Sequence, residues 1–349
     1  MDAAFLKAQE HVSRRDLLVQ GAALGGALFA AGCAVAGAGG LAQESPRTPE
    51  VPASDLSRSP KRFANKKSIN LWAFPYPQRM DLKACFALAK RAGFDAVEVN
   101  YDLESDLSPK SGEKEIRAIG DAARAAGIEI SGVCSFLFWP YPLSANDPAL
   151  RSRGLELAET MLQAANWLGT QNLLVVPGAV YIPWRKDSEV VPYDVVDRRA
   201  REAVEKLLPL AEKLQVRLNI ENIFFNGWLM SPPEMIAFVD GFKSPFVKVH
   251  FDTGNIMPFQ FPEHWIPMLG SRIQNVHLKE YTKKGTDFSL ESFRPLLDGT
   301  TDWPAVMAAF DAASYTGYLT FEYFHPFQHY PEALVYQASD AMDRMLGRG

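Results

Sequence analysis

Four side chains that could hold a metal ion or move a proton stand at or beside the ends of four successive apolar segments. They are Glu221, Asp252, His277 and Glu322. One carboxylate at the end of a segment is usually a helix cap or a solvated charge. Three carboxylates brought together repel one another, and burial increases that cost. A divalent cation removes the penalty, and oxygen ligands with one imidazole suit Mn²⁺, Mg²⁺ or Co²⁺, with Zn²⁺ also compatible.

The elements that would bring these residues together form a regular alternation from residue 69 onward. Short runs rich in Val, Ile, Leu and Phe alternate with helical patterns. The runs are 69–72, 96–99, 128–133, 172–176, 216–221, 246–251, 273–278 and 318–322. Eight strand–helix units in about 280 residues predict a single-domain α/β fold, a (β/α)₈ TIM barrel over residues 69–349. In that fold the active site lies at the carboxyl ends of the strands.

A doubly wound open sheet is the alternative fold for alternating strands and helices. That fold places a glycine-rich turn after its first strand. Residues 72–77 follow the first run here, and they contain no glycine. The sequence therefore favours the barrel.

The first 68 residues differ from the rest of the chain. Arg14 and Arg15 form a twin-arginine pattern, and an uncharged stretch rich in Ala and Gly follows at 17–43. This combination predicts a twin-arginine signal at 1–42, with the export machinery as a partner. The segment ends either at a lipobox before Cys33, which would tether the protein to a membrane, or at a cleavage site after Ala42.

Residues 43–68 are rich in proline and serine and are predicted to form a linker. With the signal before them, they predict an exported protein that is periplasmic or anchored facing outside the cytoplasm. Net charge is −5, and the folded part has no long basic block, which argues against a nucleic-acid partner. Three cysteines exclude a disulfide framework.

The strand-end residues resemble those of the sugar phosphate isomerase/epimerase group within the xylose isomerase-like TIM barrels. That group includes ketose 3-epimerases and L-ribulose/L-xylulose-5-phosphate 3-epimerases. The resemblance covers about residues 69–347. It rests on the segments 93–98, 219–222, 251–255, 276–280 and 321–322.

The resemblance implies a shared metal site and a pair of catalytic carboxylates. Its metal ligands would be Glu221, Asp252, His277 and Glu322. The same Glu221 and Glu322 would exchange a proton with a carbon next to a carbonyl, through an enediolate that the metal stabilises. This implies a sugar isomerase or epimerase. A metal-dependent lyase or dehydratase on a keto-sugar or 3-keto-glycoside is an alternative, and a non-catalytic sugar-binding barrel is a second one.

Two departures from the resemblance bear on the substrate. Asn255 stands where ketose 3-epimerases tend to place a histidine. The segment 136–142 is aromatic, whereas the phosphopentulose epimerases show basic residues there. Aromatic faces stack on sugar rings and do not hold phosphate, so we expect a neutral sugar or glycoside.

Six residues are candidates for contact with the substrate. They are Glu98, Asn255, Lys279, Lys283, Trp72 and Trp139. Some have a structural alternative: Lys279 would instead form a salt bridge with a neighbouring carboxylate, Glu98 would orient a group behind the ligands in place of the substrate, and the aromatic residues would simply pack. Relatives of this kind are often oligomers, which predicts a homo-oligomer.

Overall fold

Eight parallel strands close into a barrel in the part of the chain that the computed structural model describes, residues 57–284 and 290–348. The predicted signal, Cys33 and most of the predicted linker lie outside these residues. The barrel strands are β1 Lys66–Asn70, β2 Ala96–Asn100, β3 Glu129–Cys134, β4 Asn172–Val175, β5 Arg217–Glu221, β6 Val247–Asp252, β7 Ile273–Leu278 and β10 Tyr318–Phe321. A separate hairpin pairs β8 Glu280–Tyr281 with β9 Phe293–Arg294. The predicted (β/α)₈ TIM barrel is confirmed.

Helices follow the strands and cover the outside of the barrel. They are α1 Leu82–Ala92, α2 Glu113–Ala125, α3 Pro148–Leu168, α4 Tyr193–Leu214, α5 Pro232–Gly241, α6 Pro262–Leu269, α7 Trp303–Ala312 and α8 Glu332–Met345. The side chain of Asp81 accepts a hydrogen bond from Ala84 N at the start of α1, and Gly93 ends that helix with φ 91°. Among the described residues, no helix has the length and apolar character to cross a membrane.

The first strand begins earlier than the sequence predicts. We expected a strand at 69–72, but β1 spans Lys66–Asn70 and the chain turns into a 3₁₀ helix at Leu71–Ala73. The last three residues of the predicted linker therefore belong to the barrel. Two adjacent lysines obscured this start, yet Lys67 is buried and its ammonium lies 2.7 Å from Asp343 Oδ1. An ion pair with α8 thus replaces the apolar contact that a strand residue normally makes.

Hydrogen bonds across the barrel show that its interior is polar. Ser68 Oγ on β1 lies 2.7 Å from Ser131 Oγ on β3. Asn275 Nδ2 on β7 donates to the carbonyl oxygen of Ser131 at 3.4 Å. Such contacts join strands that are not neighbours, so these side chains point inward. The interior beneath the carboxyl ends is thus built by hydrogen-bonding groups, where barrels usually hold layers of Val, Ile and Leu.

The carboxylate of Glu280 anchors the loop before α7. It is buried and accepts hydrogen bonds from Thr301 Oγ1 and Trp303 Nε1, each at 2.6 Å. Backbone N–H groups of Tyr281, Leu297 and Thr301 donate to it at 3.1–3.2 Å. One side chain therefore satisfies five donors and holds the loop on the barrel.

Replacing Glu280 by alanine is expected to lower the free energy of unfolding by about 3 kcal/mol, because buried donors lose their acceptor. Urea unfolding followed by circular dichroism measures the change. The exposed Glu104, which pairs with Lys110, is the matched control, and Glu104→Ala should change stability by less than about 0.5 kcal/mol. Equal effects of the two variants would contradict the anchoring role.

Candidate metal and active site

Four neighbouring strands bring the predicted metal ligands together. Glu221 ends β5, Asp252 ends β6, His277 is the penultimate residue of β7 and Glu322 follows β10. These strands lie side by side in the order β10-β7-β6-β5, and Asp252 pairs with His277 in the β6–β7 register. One ligand atom from each of the four residues lies within 4.8 Å of all the others, and all four side chains are buried.

The distances around His277 fit a single divalent ion. Its Nδ1 lies 3.7 Å from Glu221 Oε1, 3.8 Å from Asp252 Oδ2 and 3.4 Å from Glu322 Oε2. Ligands bonded to one ion at about 2.0–2.2 Å are separated by about 3–4 Å. Within the described part of the chain, His277 Nδ1 is buried without a hydrogen bond, and Asp252 Oδ2 and Glu322 Oε2 have the ammonium of Lys279 as their charged partner. This set of three carboxylates and one imidazole suits a divalent cation.

Backbone hydrogen bonds orient Asp252. Its Oδ1 accepts from the N–H groups of Gly254 and Asn255, both at 2.8 Å, which leaves Oδ2 for the cluster. The side chain of Asn222 holds the same strand end, because its Nδ2 donates to Asp252 O and its Oδ1 accepts from Asp252 N, both at 2.8 Å. Sequence reasoning gave Asn222 no role, although it directly follows Glu221. The sequence signal that could have indicated this role is the position of the Asn222 amide directly after the predicted ligand Glu221.

Lys279 lies inside the cluster. Its ammonium is 2.8 Å from Asp252 Oδ2 and forms a second ion pair with Glu322 Oε2. The rings of Phe293 and Phe324 lie about 5 Å from the same nitrogen. These contacts are those of the salt-bridge alternative, in which Lys279 pairs with neighbouring carboxylates. Burial acts to lower the pKa of Lys279, but the negative charges of Asp252 and Glu322 raise it by a larger amount. The pKa therefore lies above its ordinary value, and the side chain is positively charged.

The cluster separates the pKa values of its carboxylates. Burial, together with the charges of Glu322 and Asp252, raises the pKa of Glu221 to about 7. Burial also acts to raise the pKa of Asp252, but the charge of Lys279 and the contact with His277 bring it down to about 2. Without a cation, Glu221 is therefore the carboxylate that holds a proton more readily, while Asp252 stays ionised.

Glu98 lies against the ligand set and away from solvent. Its Oε2 is 2.6 Å from His277 Nε2, the ring nitrogen that does not face the three carboxylates. Burial acts to raise the pKa of Glu98, but the charge that His277 carries when it is protonated, as in the metal-free cluster, and their hydrogen bond bring it to about 2. The sequence left Glu98 open between a contact with the substrate and one with a group behind the ligands. The contact that the structure gives it is with His277, a predicted metal ligand.

Asn255 and Lys283 take different positions. Asn255 Nδ2 donates to Glu221 Oε1 at 3.3 Å, and its Oδ1 accepts from Lys279 Nζ at 3.3 Å, so it belongs to the cluster. Lys283 Nζ donates to Gln260 O at 2.9 Å and lies 3.5 Å from the ring centroid of Phe261. The contacts of Lys283 are therefore with the segment before α6, outside the ligand set.

The predicted aromatic residues fall into two groups at the carboxyl ends. Trp72, Phe136 and Phe324 pack together, with ring centroids 4.3–5.6 Å apart. Trp139 instead contacts Trp184 edge to face at 4.8 Å. Trp72, Phe136 and Phe324 are half-buried, so part of each surface faces outward. The sequence analysis gave Phe324 no role. Its position two residues after Glu322 could have indicated that it lies at the same end of the barrel.

The fold and site together define a (β/α)₈ barrel with a cluster of three carboxylates and one histidine at its carboxyl ends. Residues 86–344 match the xylose isomerase-like TIM barrel family, and the chain belongs to that family.

Curated relatives include the L-ribulose-5-phosphate 3-epimerase UlaE of Escherichia coli O1:K1 / APEC and that of Salmonella paratyphi C (strain RKS4594). Each is 25% identical over 256 residues, which covers 72% of this chain and 86% of the relative. Two solved structures share the fold with a TM-score of 0.66. An L-ribulose 3-epimerase is 19% identical, with 81% of this chain and 95% of that one covered. A D-psicose 3-epimerase in the presence of D-fructose is 20% identical, with 81% and 100% covered.

Proposed function

We propose that the protein is a divalent-metal-dependent sugar isomerase or epimerase. The observation that carries the proposal is the buried cluster of Glu221, Asp252, His277 and Glu322, whose ligand atoms lie within 4.8 Å of one another. The curated relatives named above are 3-epimerases of a sugar phosphate, and the solved structures are 3-epimerases of sugars. Mn²⁺, Mg²⁺ and Co²⁺ are the proposed ions, and Zn²⁺ is also compatible with the ligands.

The proposed mechanism uses the two glutamates as a pair. The ion, when bound, supplies positive charge beside the oxygens of the substrate, which makes a C–H next to a carbonyl more acidic. Glu221 then accepts the proton, since it is a buried carboxylate within the proposed ligand set, beside the position of the substrate carbon. Glu322 returns a proton from the other face. Lys279 holds positive charge against Asp252 and Glu322 and so lowers the repulsion among the carboxylates.

The same proton abstraction leads to three outcomes. Return of the proton to the same carbon from the other face inverts that centre. Return to the neighbouring carbon exchanges aldose and ketose. Departure of a group from the next carbon gives elimination, which is the lyase alternative. The relatives named above are epimerases, and this favours inversion.

We further propose that the substrate carries no phosphate. The half-buried Trp72, Phe136 and Phe324 offer apolar surface to a sugar ring. Three basic side chains near this end of the barrel already have partners among the described residues: Lys279 pairs with Asp252, and Lys283 donates to Gln260 O. Arg185 pairs with Asp187 at 2.6 Å and donates to Trp139 O.

Unphosphorylated ketoses are expected to react with a kcat/KM at least about 100-fold above that of the matching ketose phosphates, because a phosphate would be desolvated against the aromatic surface while Lys279, Lys283 and Arg185 are already engaged. A panel of both kinds, incubated with the Mn²⁺-loaded protein and separated by chromatography, measures the ratio. A preference for the phosphates would contradict the proposed substrate. Turnover of neither kind would contradict the proposed activity.

The location of the protein is also a proposal. Arg14 and Arg15, with the uncharged segment after them, support export by the twin-arginine route and, through Cys33, a membrane tether. Fractionation of cells that express the full chain or an Arg14→Lys/Arg15→Lys variant tests this. Retention of the variant inside the cytoplasm, with export of the unaltered chain, is the expected result.

A further inference from the structure

Glu98 has a contact that neither substrate binding nor proton transfer to the substrate uses. The side chain is fully buried, and its Oε2 lies 2.6 Å from His277 Nε2. The ring of His277 is fully buried and lies between Glu98, which contacts its Nε2, and the three carboxylates, which face its Nδ1. A substrate in the barrel mouth therefore does not contact Glu98, and the contact of this carboxylate with the ligand cluster is through His277.

Glu98 is fixed in turn by β1. Asn70 Nδ2 donates to the same Oε2 at 2.6 Å. The Oδ1 of Asn70 accepts from Trp72 N at 2.9 Å and from Asn100 Nδ2 at 3.2 Å, which sets the orientation of its amide. Two strands and the first residues of the β1 loop thus hold the carboxylate in place. Such a short, charge-assisted contact between buried groups is strong and geometrically specific.

The chemistry of imidazole gives this contact a consequence at the cluster. A neutral ring carries one hydrogen, and the nitrogen that lacks it is the one with a lone pair for a metal. An acceptor at Nε2 keeps the hydrogen there and leaves the lone pair on Nδ1. It is Nδ1 that lies 3.4–3.8 Å from oxygens of Glu221, Asp252 and Glu322. A carboxylate acceptor also makes the ring a stronger donor of its lone pair.

We infer that Glu98 is a positioning residue for the metal centre: it fixes the tautomer and the ring orientation of His277 so that Nδ1 binds the divalent cation. The inference rests on the proposed function, since it presupposes that the cluster holds a metal. It gives Glu98 a task that a substrate-binding residue does not have.

Mn²⁺ affinity, measured by calorimetry on the purified protein, tests the inference without any activity assay. Glu98→Gln keeps the size of the side chain and removes its charge, and it is expected to weaken Mn²⁺ binding about 10- to 100-fold. Thr320→Val is the matched control. Thr320 lies beside His277 in the β10–β7 register and is equally buried, but its hydroxyl has no hydrogen bond among the described residues. The Thr320→Val protein should bind Mn²⁺ with the same affinity as the unaltered protein.

The tautomer itself is a second readout. The chain has six histidines, so ¹⁵N-histidine labelling gives a simple spectrum, and His277→Asn identifies the signal of His277 by its loss. In the Zn²⁺-loaded protein we expect the hydrogen of His277 on Nε2. A population with the hydrogen on Nδ1 in Glu98→Gln would support the inference, while a hydrogen on Nδ1 in the unaltered protein would overturn it.

The outcomes separate this inference from the proposed function. If Glu98→Gln binds Mn²⁺ as tightly as the unaltered protein, or if Thr320→Val weakens binding equally, Glu98 is not a positioning residue and the metal centre stands. If the unaltered protein binds no Mn²⁺, both the positioning role of Glu98 and the proposed metal-dependent function are wrong. Should Glu98→Gln fail to fold, Gly132→Ala replaces it.

A methyl group at Gly132 would lie 3.3 Å from Glu98 Oε1 and 3.2 Å from Asn275 Nδ2, so it presses on Glu98 without touching a ligand. We expect a few-fold weaker Mn²⁺ affinity in this variant. Unchanged affinity would overturn the inference.

Discussion

Glu322→Gln is expected to lower kcat by about 10²–10⁴-fold, the range that loss of one positioned acid or base produces. The amide keeps the shape of the side chain and its oxygen, but it cannot carry a proton to or from carbon. Glu322 is 3% exposed, and its Oε2 lies 3.4 Å from His277 Nδ1, inside the proposed ligand set. Steady-state kinetics on the best ketose of the panel, with saturating Mn²⁺, measures the effect.

Thr320→Val is the control for Glu322→Gln as well. Thr320 lies on β10, two residues before Glu322, and its hydroxyl makes no hydrogen bond within the described residues. It should retain most of the kcat. Because Glu322 is also a proposed ligand, Mn²⁺ binding of the variant must be measured in parallel. A Glu322→Gln protein with full metal occupancy and ordinary kcat would remove Glu322 from the proton transfer.

Asp252→Asn is expected to weaken Mn²⁺ binding by at least about 100-fold, more than a change outside the ligand set would. The backbone N–H groups of Gly254 and Asn255 hold Oδ1, so the new amide nitrogen takes the place of Oδ2. That nitrogen has no lone pair to offer and directs N–H groups at the ion. Activity should fall with occupancy, and a chelator should produce the same loss in the unaltered protein.

Asp240→Asn is the matched control for the aspartate, since Asp240 is partly exposed and pairs with Arg272 at 2.6 Å on the surface. Calorimetric titration with Mn²⁺ should not distinguish it from the unaltered protein. If Asp252→Asn binds Mn²⁺ normally, or if chelation leaves turnover intact, the proposed dependence on a metal is wrong.

The four residues of the cluster could be predicted because their meeting depends only on the local sequence pattern and on the topology of the barrel. The runs that end near Glu221, Asp252, His277 and Glu322 are apolar, and parallel strands of a barrel bring their carboxyl ends to one rim. The structure confirms that these residues meet. The start of β1 could not be predicted in the same way, because Lys66 and Lys67 have the composition of a linker. The contacts that make burial of Lys67 favourable, with Asp343 and Ser339, come from α8 at the far end of the chain.

Contacts across the barrel interior were beyond reach of the sequence. Glu98 and His277 are 179 positions apart, and nothing in the spacing of either strand shows which nitrogen of the ring would face which carboxylate. The contacts of Lys279 were left open between a substrate oxygen and a neighbouring carboxylate, because both lie on the same side of the strand. Only side-chain placement showed the ion pairs with Asp252 and Glu322.

Deuterium exchange tests the central claim most directly. The Mn²⁺-loaded protein is incubated in D₂O with unphosphorylated ketoses, aldoses and 3-keto-glycosides, and proton NMR follows each carbon next to a carbonyl. The account predicts loss of signal at one such carbon, and no loss in Glu221→Gln or in the chelated protein, because Glu221 is the proposed proton acceptor. A product formed without deuterium at that carbon, or exchange that continues in Glu221→Gln at full rate, would contradict proton transfer by the cluster.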